Sequence, residues 1–286
     1  INSECIYTIS LVENVKGKES SPKWIKERLE KSDIKSKNLI VDITNYILLE
    51  QGQPLHAFDL EKLSQLIGRD VLPEDFGVRK AKNGEFLTAL DGIKYELNEN
   101  ISIVVCSDKP VAIAGVIGGI ETAVTEQTSS IILEGAVFNP SIIRKSSREV
   151  GIRTESSSRF EKGISFRNTL NSLSRAFYLL NQYFKESKPT IYSSKTINKD
   201  KKSIKLRRER IYKILGPIVY NSNDELGKIQ VIKRNLNDKE ITDKLKLIGC
   251  ELHNQSYGWD VEVISNRSSD LIREIDLIEE IARLIG

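Results

Sequence analysis

The chain has 286 residues, of which 39% are hydrophobic and 29% are charged, and its formal net charge is +3 at pH 7. At about 150 residues per domain this length predicts two domains, and the composition excludes collagen-like, low-complexity and disordered proteins. So small a net charge does not by itself indicate a nucleic-acid-binding protein. Because no apolar segment approaches the ~18 residues of a membrane helix, we expect a soluble protein without membrane contact.

The three cysteines and the chain ends add two expectations. Cys5, Cys106 and Cys250 are too far apart for a zinc site and odd in number for a disulfide framework. We therefore expect a reducing, cytoplasmic location. The sequence begins with Ile1 rather than Met and stops directly after a helical segment, so we expect a part of a longer polypeptide.

The first half of the chain is predicted to contain helices followed by short strands. Ser21 as N-cap and Pro22 as first helical residue begin one helix, and residues 39–49 form a second that ends before Gly52. Asp91-Gly92 is typical of a hairpin turn. Alternation of apolar and polar residues, or short apolar runs, predict strands at 76–79, 85–90, 93–97, 101–106, 111–116 and 130–137.

The second half is predicted to contain a long helix, a linker and a smaller domain. Asn139-Pro140 begins a short helix that Gly151 ends, and residues 166–185 carry apolar side chains at helical spacing. The later elements are helices at 211–215, 241–248 and 271–285 and a strand at 259–264. These elements predict a first domain at residues 1–190, a polar linker at 191–202 and a second domain at 203–286.

Residues 41–59 and 112–119 are the first two candidate binding segments. Thr44, Asn45 and His56 could converge on one pocket, or Asn45 and His56 could satisfy buried backbone groups around a turn. The glycines of residues 112–119 allow either tight packing or close approach to a ligand, and they do not match the dinucleotide or P-loop fingerprints.

Two further segments carry isolated polar groups. Glu134 lies inside an apolar strand, where an unpaired carboxylate costs several kcal/mol, so it needs a salt-bridge partner or a cavity. Residues 151–163 are rich in hydroxyl groups, which either cap the helix that follows or bind a ligand.

A group of acidic residues near the end of the chain is a candidate metal site. Asp276, Glu279 and Glu280 share one helix face, and grouped carboxylates suit Mg²⁺, although a solvated acidic face is the alternative. Asp270 joins them only if the chain around it is not helical.

Together these segments resemble the β subunit of bacterial phenylalanyl-tRNA synthetase. The matching strings are VDITNYILLEQGQPLHAFD at 41–59, AGVIGG at 114–119, ILEGAVF at 132–138, RTESSSRFEKG at 153–163 and the closing pattern at 270–286. The resemblance implies an α/β (α+β) fold, with a mixed-sheet editing-domain sandwich followed by a small α+β domain similar to nucleic-acid-binding folds.

The resemblance also implies a reaction and its residues. The family's editing domain hydrolyses tyrosine wrongly attached to tRNA(Phe), and Glu134 would read the tyrosine hydroxyl. Thr44, Asn45 and His56 would line the pocket and orient the ester and the attacking water. The substrate-binding positions carried over are Gly115, Gly118, Thr154 and Ser156. Several relatives have alanine where this chain has Ser156, which changes the polarity of the pocket.

Partners and cofactors follow from the same resemblance. The family enzyme is an α2β2 tetramer whose α subunit uses ATP to attach phenylalanine to tRNA(Phe). The residues matching a Mg²⁺ site shared with that subunit are Asp270, Asp276, Glu279 and Glu280. A non-catalytic scaffold that binds tRNA or the α subunit is the alternative function, and a Mg²⁺-dependent hydrolase is a third. About fifteen extra residues between Gly216 and Asp238 depart from the family pattern and are predicted to form an exposed loop.

Overall fold

The computed structural model describes residues 5–185, 189–193, 203–223, 229–263, 267 and 270–286. Its internal contacts divide the chain into two compact units, Ile1–Ile197 and Asn198–Gly286. Within the described ranges, no helix is both long enough and apolar enough to cross a membrane.

The first unit alternates strands and helices along the chain. Its strands are β1 (Cys5–Val12), β2 (Leu55–Asp59), β3 (Phe76–Lys80), β4 (Glu85–Thr88), β5 (Lys94–Leu97), β6 (Ser102–Cys106), β7 (Lys109–Ile113), β8 (Ile117–Gly118), β9 (Ile131–Phe138) and β10 (Thr190–Ser193). Its helices are α1 (Lys23–Glu30), α2 (Leu39–Gln51), α3 (Leu60–Ile67), α4 (Pro140–Val150), α5 (Glu155–Phe160) and α6 (Phe166–Tyr183).

The central sheet of this unit has the order β10-β1-β9-β2, with antiparallel pairing throughout. Since side chains alternate across a strand, β9 presents Ile131 and Leu133 to one face and Ile132 and Glu134 to the other. The first face packs against α1, α2 and α6 in a core that includes Ile43.

The other face of the central sheet packs against a second four-stranded sheet. That sheet has the order β3-β6-β7-β8, and β4 and β5 form a separate hairpin. The core between the two sheets contains Ile132 and Phe138 of β9 together with Ile103 of β6. The predicted α/β sandwich is confirmed, but its described strands pair antiparallel rather than in mixed sheets, and the inner face of the central sheet carries Glu134.

Helix ends follow local chemistry, with one correction. The Asn139 side chain caps α4 and Gly151 ends it in the left-handed conformation, as expected. The start of α1 was predicted one residue too early, because Pro22 is the N-cap. Ser21 instead donates its hydroxyl to the buried carboxylate of Asp42 at 2.5 Å.

Two expectations about irregular segments need correction. Residues 191–193 of the predicted linker belong to β10, which pairs with β1, and residues 194–202 lie outside the described ranges. The segment between Gly216 and Asp238 is not simply a loop. It forms β12 (Ile218–Asn223) and β13 (Ile229–Arg234), which pair antiparallel because their β-branched residues favour extended chain.

The second unit is a small α+β domain, as predicted. Its other elements are β11 (Ser203–Arg207), α7 (Arg208–Leu215), α8 (Asp238–Leu247), β14 (Cys250–Gln255), β15 (Gly258–Val263) and α9 (Glu274–Ile285). A sheet of order β11-β15-β14 carries the buried Trp259 and Val261. The apolar side of α9, with Leu277 and Ile281, completes this core, which leaves the acidic residues of α9 at the margin.

Candidate functional site

A small pocket opens on the inner face of the central sheet. The pocket is lined by Pro54, Leu55, His56, Val104, Ala112, Ile113, Gly115, Val116, Ile117, Gly118, Glu134, Ser156 and Phe160. Five predicted site residues therefore meet at one pocket, namely His56, Gly115, Gly118, Glu134 and Ser156.

Strand register explains why Glu134 and His56 lie side by side. The two residues are direct partners in the antiparallel pair of β2 and β9. Directly opposed residues have Cβ atoms about 4.5–5.5 Å apart and point to the same face of the sheet. A carboxyl group and an imidazole therefore share one wall of the pocket.

Glu134 is a buried acid held by a neutral donor. It is 8% exposed and accepts a 2.6 Å hydrogen bond from the Tyr7 hydroxyl, and it makes no ion pair with the described residues. Burial raises the pKa of Glu134 to about 7, and the bond from Tyr7 lowers it only in part. The salt-bridge explanation for this acid is therefore replaced by a phenol partner and an adjoining pocket.

His56 is a half-buried, neutral imidazole whose Nε2 atom has no hydrogen-bond partner among the described residues. Burial lowers the pKa of His56 to about 4, so the ring is uncharged at neutral pH. The Nε2 atom is shielded from solvent. The ring contacts Phe58 edge-on at 4.4 Å between centroids. His56 can thus orient a ligand or water molecule, but it is a weak base at neutral pH.

The two predicted glycines leave room for the side chains around them. A Cβ atom on Gly118 would lie 2.4 Å from His56 Cε1, so glycine is what lets the imidazole occupy its position. Gly115 adopts a left-handed backbone with φ of +64°, which favours glycine. Both glycines form part of the pocket wall through bare backbone.

The short helix α5 supplies the opposite wall through Ser156 and Phe160. Thr154 is its N-cap, accepting from the Ser157 amide at 3.1 Å. The Thr154 hydroxyl also donates to the Val116 carbonyl at 2.8 Å, which ties α5 to the glycine-rich wall. Thr154 is not among the residues that line the pocket, and its role in substrate binding stays a prediction.

Replacing Thr154 with alanine should therefore lower both stability and pocket order. We expect the free energy of unfolding to fall by about 1–2 kcal/mol, because a helix cap and a part-buried hydrogen bond are lost together. Urea denaturation measures this change. Ser165→Ala is the matched control, since Ser165 caps α6 through Asn168 without contacting the pocket. An unchanged urea midpoint for Thr154→Ala would show that these two hydrogen bonds of Thr154 do not stabilise the fold.

The raised pKa of Glu134 predicts a pH-dependent cost. Its folded pKa of about 7 lies above the ordinary value of 4.5, so the folded state holds the proton more tightly. Stability from this group is present at low pH and is lost as pH rises from about 4.5 through 7. We expect Glu134→Gln to become more stable relative to wild type by about 2.5 kcal/mol between pH 5 and pH 8.

Urea denaturation at both pH values checks this expectation, with Glu126→Gln as control because Glu126 is exposed. Comparing each variant with wild type at the same pH cancels the contribution of His56. Because the pKa of His56 is lowered to about 4, its contribution to stability is present above about pH 6.5 and is lost as pH falls towards 4. A stability difference for Glu134→Gln that does not vary with pH would show that the acid is not strained by burial.

Thr44 and Asn45 are not brought into this pocket. Both belong to α2, whose apolar side packs in the core on the opposite face of the central sheet. The Thr44 hydroxyl donates to the Val41 carbonyl of the same helix at 2.7 Å. Neither residue is among those that line the pocket, so convergence with His56 is not seen, and their catalytic roles stay predictions.

Sequence reasoning missed the polar residues that support the site. Tyr7, the partner of Glu134, lies 127 positions away and carried no local signal. Gln53 satisfies the turn before β2, donating to the Pro54 and Ala136 carbonyls and accepting from the Thr169 hydroxyl. The turn role suggested for Asn45 and His56 thus belongs to Gln53, whose position beside Pro54 was the available signal.

Arginines form ion pairs with three of the four acidic residues predicted to bind a metal in the second unit. The Arg267 guanidinium donates to Asp270 at 2.7 Å and to Glu280 at 2.8 Å. Arg283 donates to the other oxygen of Glu280 at 2.5 Å. These guanidinium groups lower the pKa of Glu280 to about 2, so the carboxylate is charged and already neutralised by its neighbours.

The remaining two acids do not complete a coordination set. Asp276 accepts from the Arg273 side chain at 2.7 Å and from its backbone amide at 2.8 Å, while Glu279 is exposed. In the described part of the chain, no three of the four predicted carboxylates gather within 4.8 Å. Their arrangement therefore does not fit a preformed Mg²⁺ site, and Mg²⁺ binding here stays a prediction of the resemblance.

Family models match both units of the chain. The B3/4 domain model matches residues 4–185, and the tRNA synthetase B5 domain model matches residues 204–286. Among solved structures, an N-terminal fragment of the phenylalanyl-tRNA synthetase beta-subunit from Pyrococcus horikoshii has a TM-score of 0.39 and 12% identity, covering 98% of this chain and 70% of that one. A likeness this distant supports no inference about the chain.

Curated relatives are far more similar. A phenylalanine–tRNA ligase beta subunit from Prochlorococcus marinus (strain MIT 9312) is 66% identical over 286 residues, which cover 100% of this chain and 34% of that protein. The same subunit from Synechococcus sp. (strain CC9605) is 42% identical over 282 residues, covering 99% and 34%. The chain spans about a third of the length of these relatives. It therefore belongs to the family of phenylalanine–tRNA ligase beta subunits, of which it represents the B3/4 and B5 domains.

Proposed function

We propose that the first unit hydrolyses tyrosine wrongly esterified to tRNA(Phe). The observation that supports this reaction is the environment of Glu134. This buried carboxyl lies at the wall of the pocket and accepts its hydrogen bond from a phenol, Tyr7, rather than from a cation. A group in that position can accept a hydrogen bond from the hydroxyl of a bound tyrosine. Phenylalanine lacks the hydroxyl and would leave the acid unpaired.

Physical chemistry explains why a ligase for phenylalanine needs such a second site. A pocket shaped for phenylalanine cannot strongly reject a residue that merely adds a hydroxyl. A separate pocket that hydrogen-bonds the hydroxyl does discriminate, and comparable sites reach factors of about 10⁴–10⁵. The burial of Glu134 increases this selectivity, because an unpaired polar group is costly where water is excluded.

In this proposal the other residues of the pocket position the ester and the water. His56 offers its unpaired Nε2 to the attacking water or to the ester, and its lowered pKa favours orientation over strong base catalysis. Gly115 and Gly118 leave space for the aminoacyl group. Ser156 adds a hydroxyl on the opposite wall. Water is then the nucleophile, and its reactivity comes mainly from being held in position against the ester.

The proposal extends to partners as the family resemblance implies. The chain would act in the cytoplasm within an α2β2 tetramer whose α subunit carries out the ATP-dependent charging of tRNA(Phe). The B5 domain match at residues 204–286 supports a link to tRNA synthetases for the second unit. Mg²⁺ shared with the α subunit at residues 270–280 remains a further prediction.

The test is release of tyrosine from Tyr-tRNA(Phe), with Phe-tRNA(Phe) as the competing substrate and enzyme-free hydrolysis subtracted. The complete ligase should release tyrosine much faster than phenylalanine, and the preference should depend on Glu134. Equal, slow release from wild type and Glu134→Ala would instead favour a non-catalytic scaffold. Loss of hydrolysis with EDTA, without effect of pocket substitutions, would favour the metal-dependent alternative.

A further inference from the structure

Tyr7 makes the hydrogen bond that the proposed substrate would also make. It lies on β1, and its hydroxyl donates to Oε2 of Glu134 at 2.6 Å. Tyr7 is 3% exposed and Glu134 is 8% exposed. Among the described residues, Tyr7 is the hydrogen-bond donor that reaches this acid. One carboxyl oxygen is therefore occupied from inside the protein, and Oε1 is the oxygen left for a ligand.

The surroundings of Tyr7 fix the direction of its hydroxyl. Its ring stacks on Phe76 with a centroid distance of 6.3 Å and an interplanar angle of 29°. Burial, and then the Glu134 charge, raise the pKa of Tyr7 well above its ordinary value. The phenol therefore keeps its proton at every physiological pH and remains a donor.

We propose that Tyr7 is the positioning residue of Glu134, holding Oε2 so that Oε1 faces the pocket as an acceptor for the substrate hydroxyl. This inference rests on the proposed hydrolysis of Tyr-tRNA(Phe) and names a residue that the resemblance did not supply. Tyr7 acts through Glu134 and is not expected to contact the ligand, because it is not among the residues that line the pocket.

The same bond sets the charge of the acid. The titratable groups that face Glu134 are Tyr7 from β1 and His56 from β2, and His56 is neutral. The pocket residues contributed by β6, β7, the 114–118 segment and α5 carry no charged side chain. Since the Tyr7 bond is what offsets burial, its loss should raise the pKa of Glu134 further and leave the acid protonated at neutral pH.

Tyr7→Phe in the complete ligase tests the inference, because it removes one oxygen atom and keeps the ring. We expect the preference for Tyr-tRNA(Phe) over Phe-tRNA(Phe) to fall roughly tenfold at pH 7. We also expect the pH midpoint of that preference, measured from pH 6 to 8.5, to move upward by about one unit. Tyr95→Phe is the matched control, since it removes a similar 2.8 Å phenol–carboxylate bond, to Asp91 on the surface.

A second variant keeps the test independent of folding. Fluorotyrosine at position 7 preserves the ring and strengthens the donor, so the pH midpoint should move downward. An unchanged midpoint in both variants overturns the inference, as does a lower melting temperature of Tyr7→Phe with an unaltered pH profile. If Glu134→Gln also leaves the preference unchanged, the proposed function itself fails. If Glu134→Gln lowers it and the Tyr7 variants do not, only the role of Tyr7 fails.

Discussion

Glu134→Ala in the complete ligase is expected to lower the preference for Tyr-tRNA(Phe) over Phe-tRNA(Phe) by about 10- to 100-fold. The estimate corresponds to the loss of one hydrogen bond to a charged or partly charged group, about 1.5–3 kcal/mol. The loss should appear in tyrosine release, while phenylalanine release changes little because phenylalanine never used the acid. Single-turnover deacylation of the two aminoacyl-tRNAs measures both rates.

A matched control separates this effect from a general weakening of the fold. Glu121→Ala removes an exposed acid of the same unit and should leave both rates unchanged. The complete ligase should also charge tRNA(Phe) at the wild-type rate in both variants, because we propose that the α subunit carries out the synthetic reaction. Equal tyrosine preference in Glu134→Ala and wild type would contradict the role given to this carboxyl.

Gly118→Ala is expected to reduce hydrolysis of Tyr-tRNA(Phe) by about 10- to 100-fold by moving a neighbour. The added Cβ would lie 2.4 Å from Cε1 and 2.7 Å from Nε2 of His56, so the imidazole must shift. Misplacing a positioning group by about 1 Å can cost on the order of 100-fold in rate. Since the moved atoms belong to a side chain rather than to backbone, the fold should survive.

Gly77→Ala provides the steric control for this substitution. A Cβ on Gly77 would meet Val105 at 3.4 Å, which is an ordinary contact. Gly77 is also not among the residues that line the pocket, so activity and stability should change little. Wild-type hydrolysis by Gly118→Ala, with circular dichroism unchanged, would show that the position of His56 does not matter.

Local sequence patterns pointed to residues that are energetically unusual among their sequence neighbours. Glu134 was found because a carboxylate among Ile131, Ile132 and Leu133 must be paired or face a cavity. Local pattern singled out the glycine-rich segment that contains Gly115 and Gly118, but their assignment to the site came from the family resemblance. In each case the signal lies within a few residues of the group that it identifies.

Contacts between distant segments could not be predicted in this way. The bond between Tyr7 and Glu134 depends on the order of β1 and β9 in the sheet, which no short segment encodes. Thr44 was expected to face the pocket, but mid-helix threonine readily bonds to the carbonyl three residues earlier, here that of Val41.

The prediction of a metal site on α9 missed the ion pairs there for a different reason, because the sequence contained the relevant arginines but the prediction considered only the carboxylates. Helical spacing correctly placed Asp276 and Glu280 near one another on α9. However, Arg273 and Arg283 are each three residues from one of these acids and pair with them. Counting the neighbouring arginines along with the carboxylates would have predicted an ion-pair network.

The most direct test of the central claim is a crystal structure of the complete ligase with a non-hydrolysable amide analogue of the 3′-tyrosyl adenosine. The account predicts the phenol oxygen within about 3 Å of Oε1 of Glu134, with the Tyr7 bond to Oε2 retained. A phenol directed into solvent, or an analogue bound away from His56 and Glu134, would contradict it.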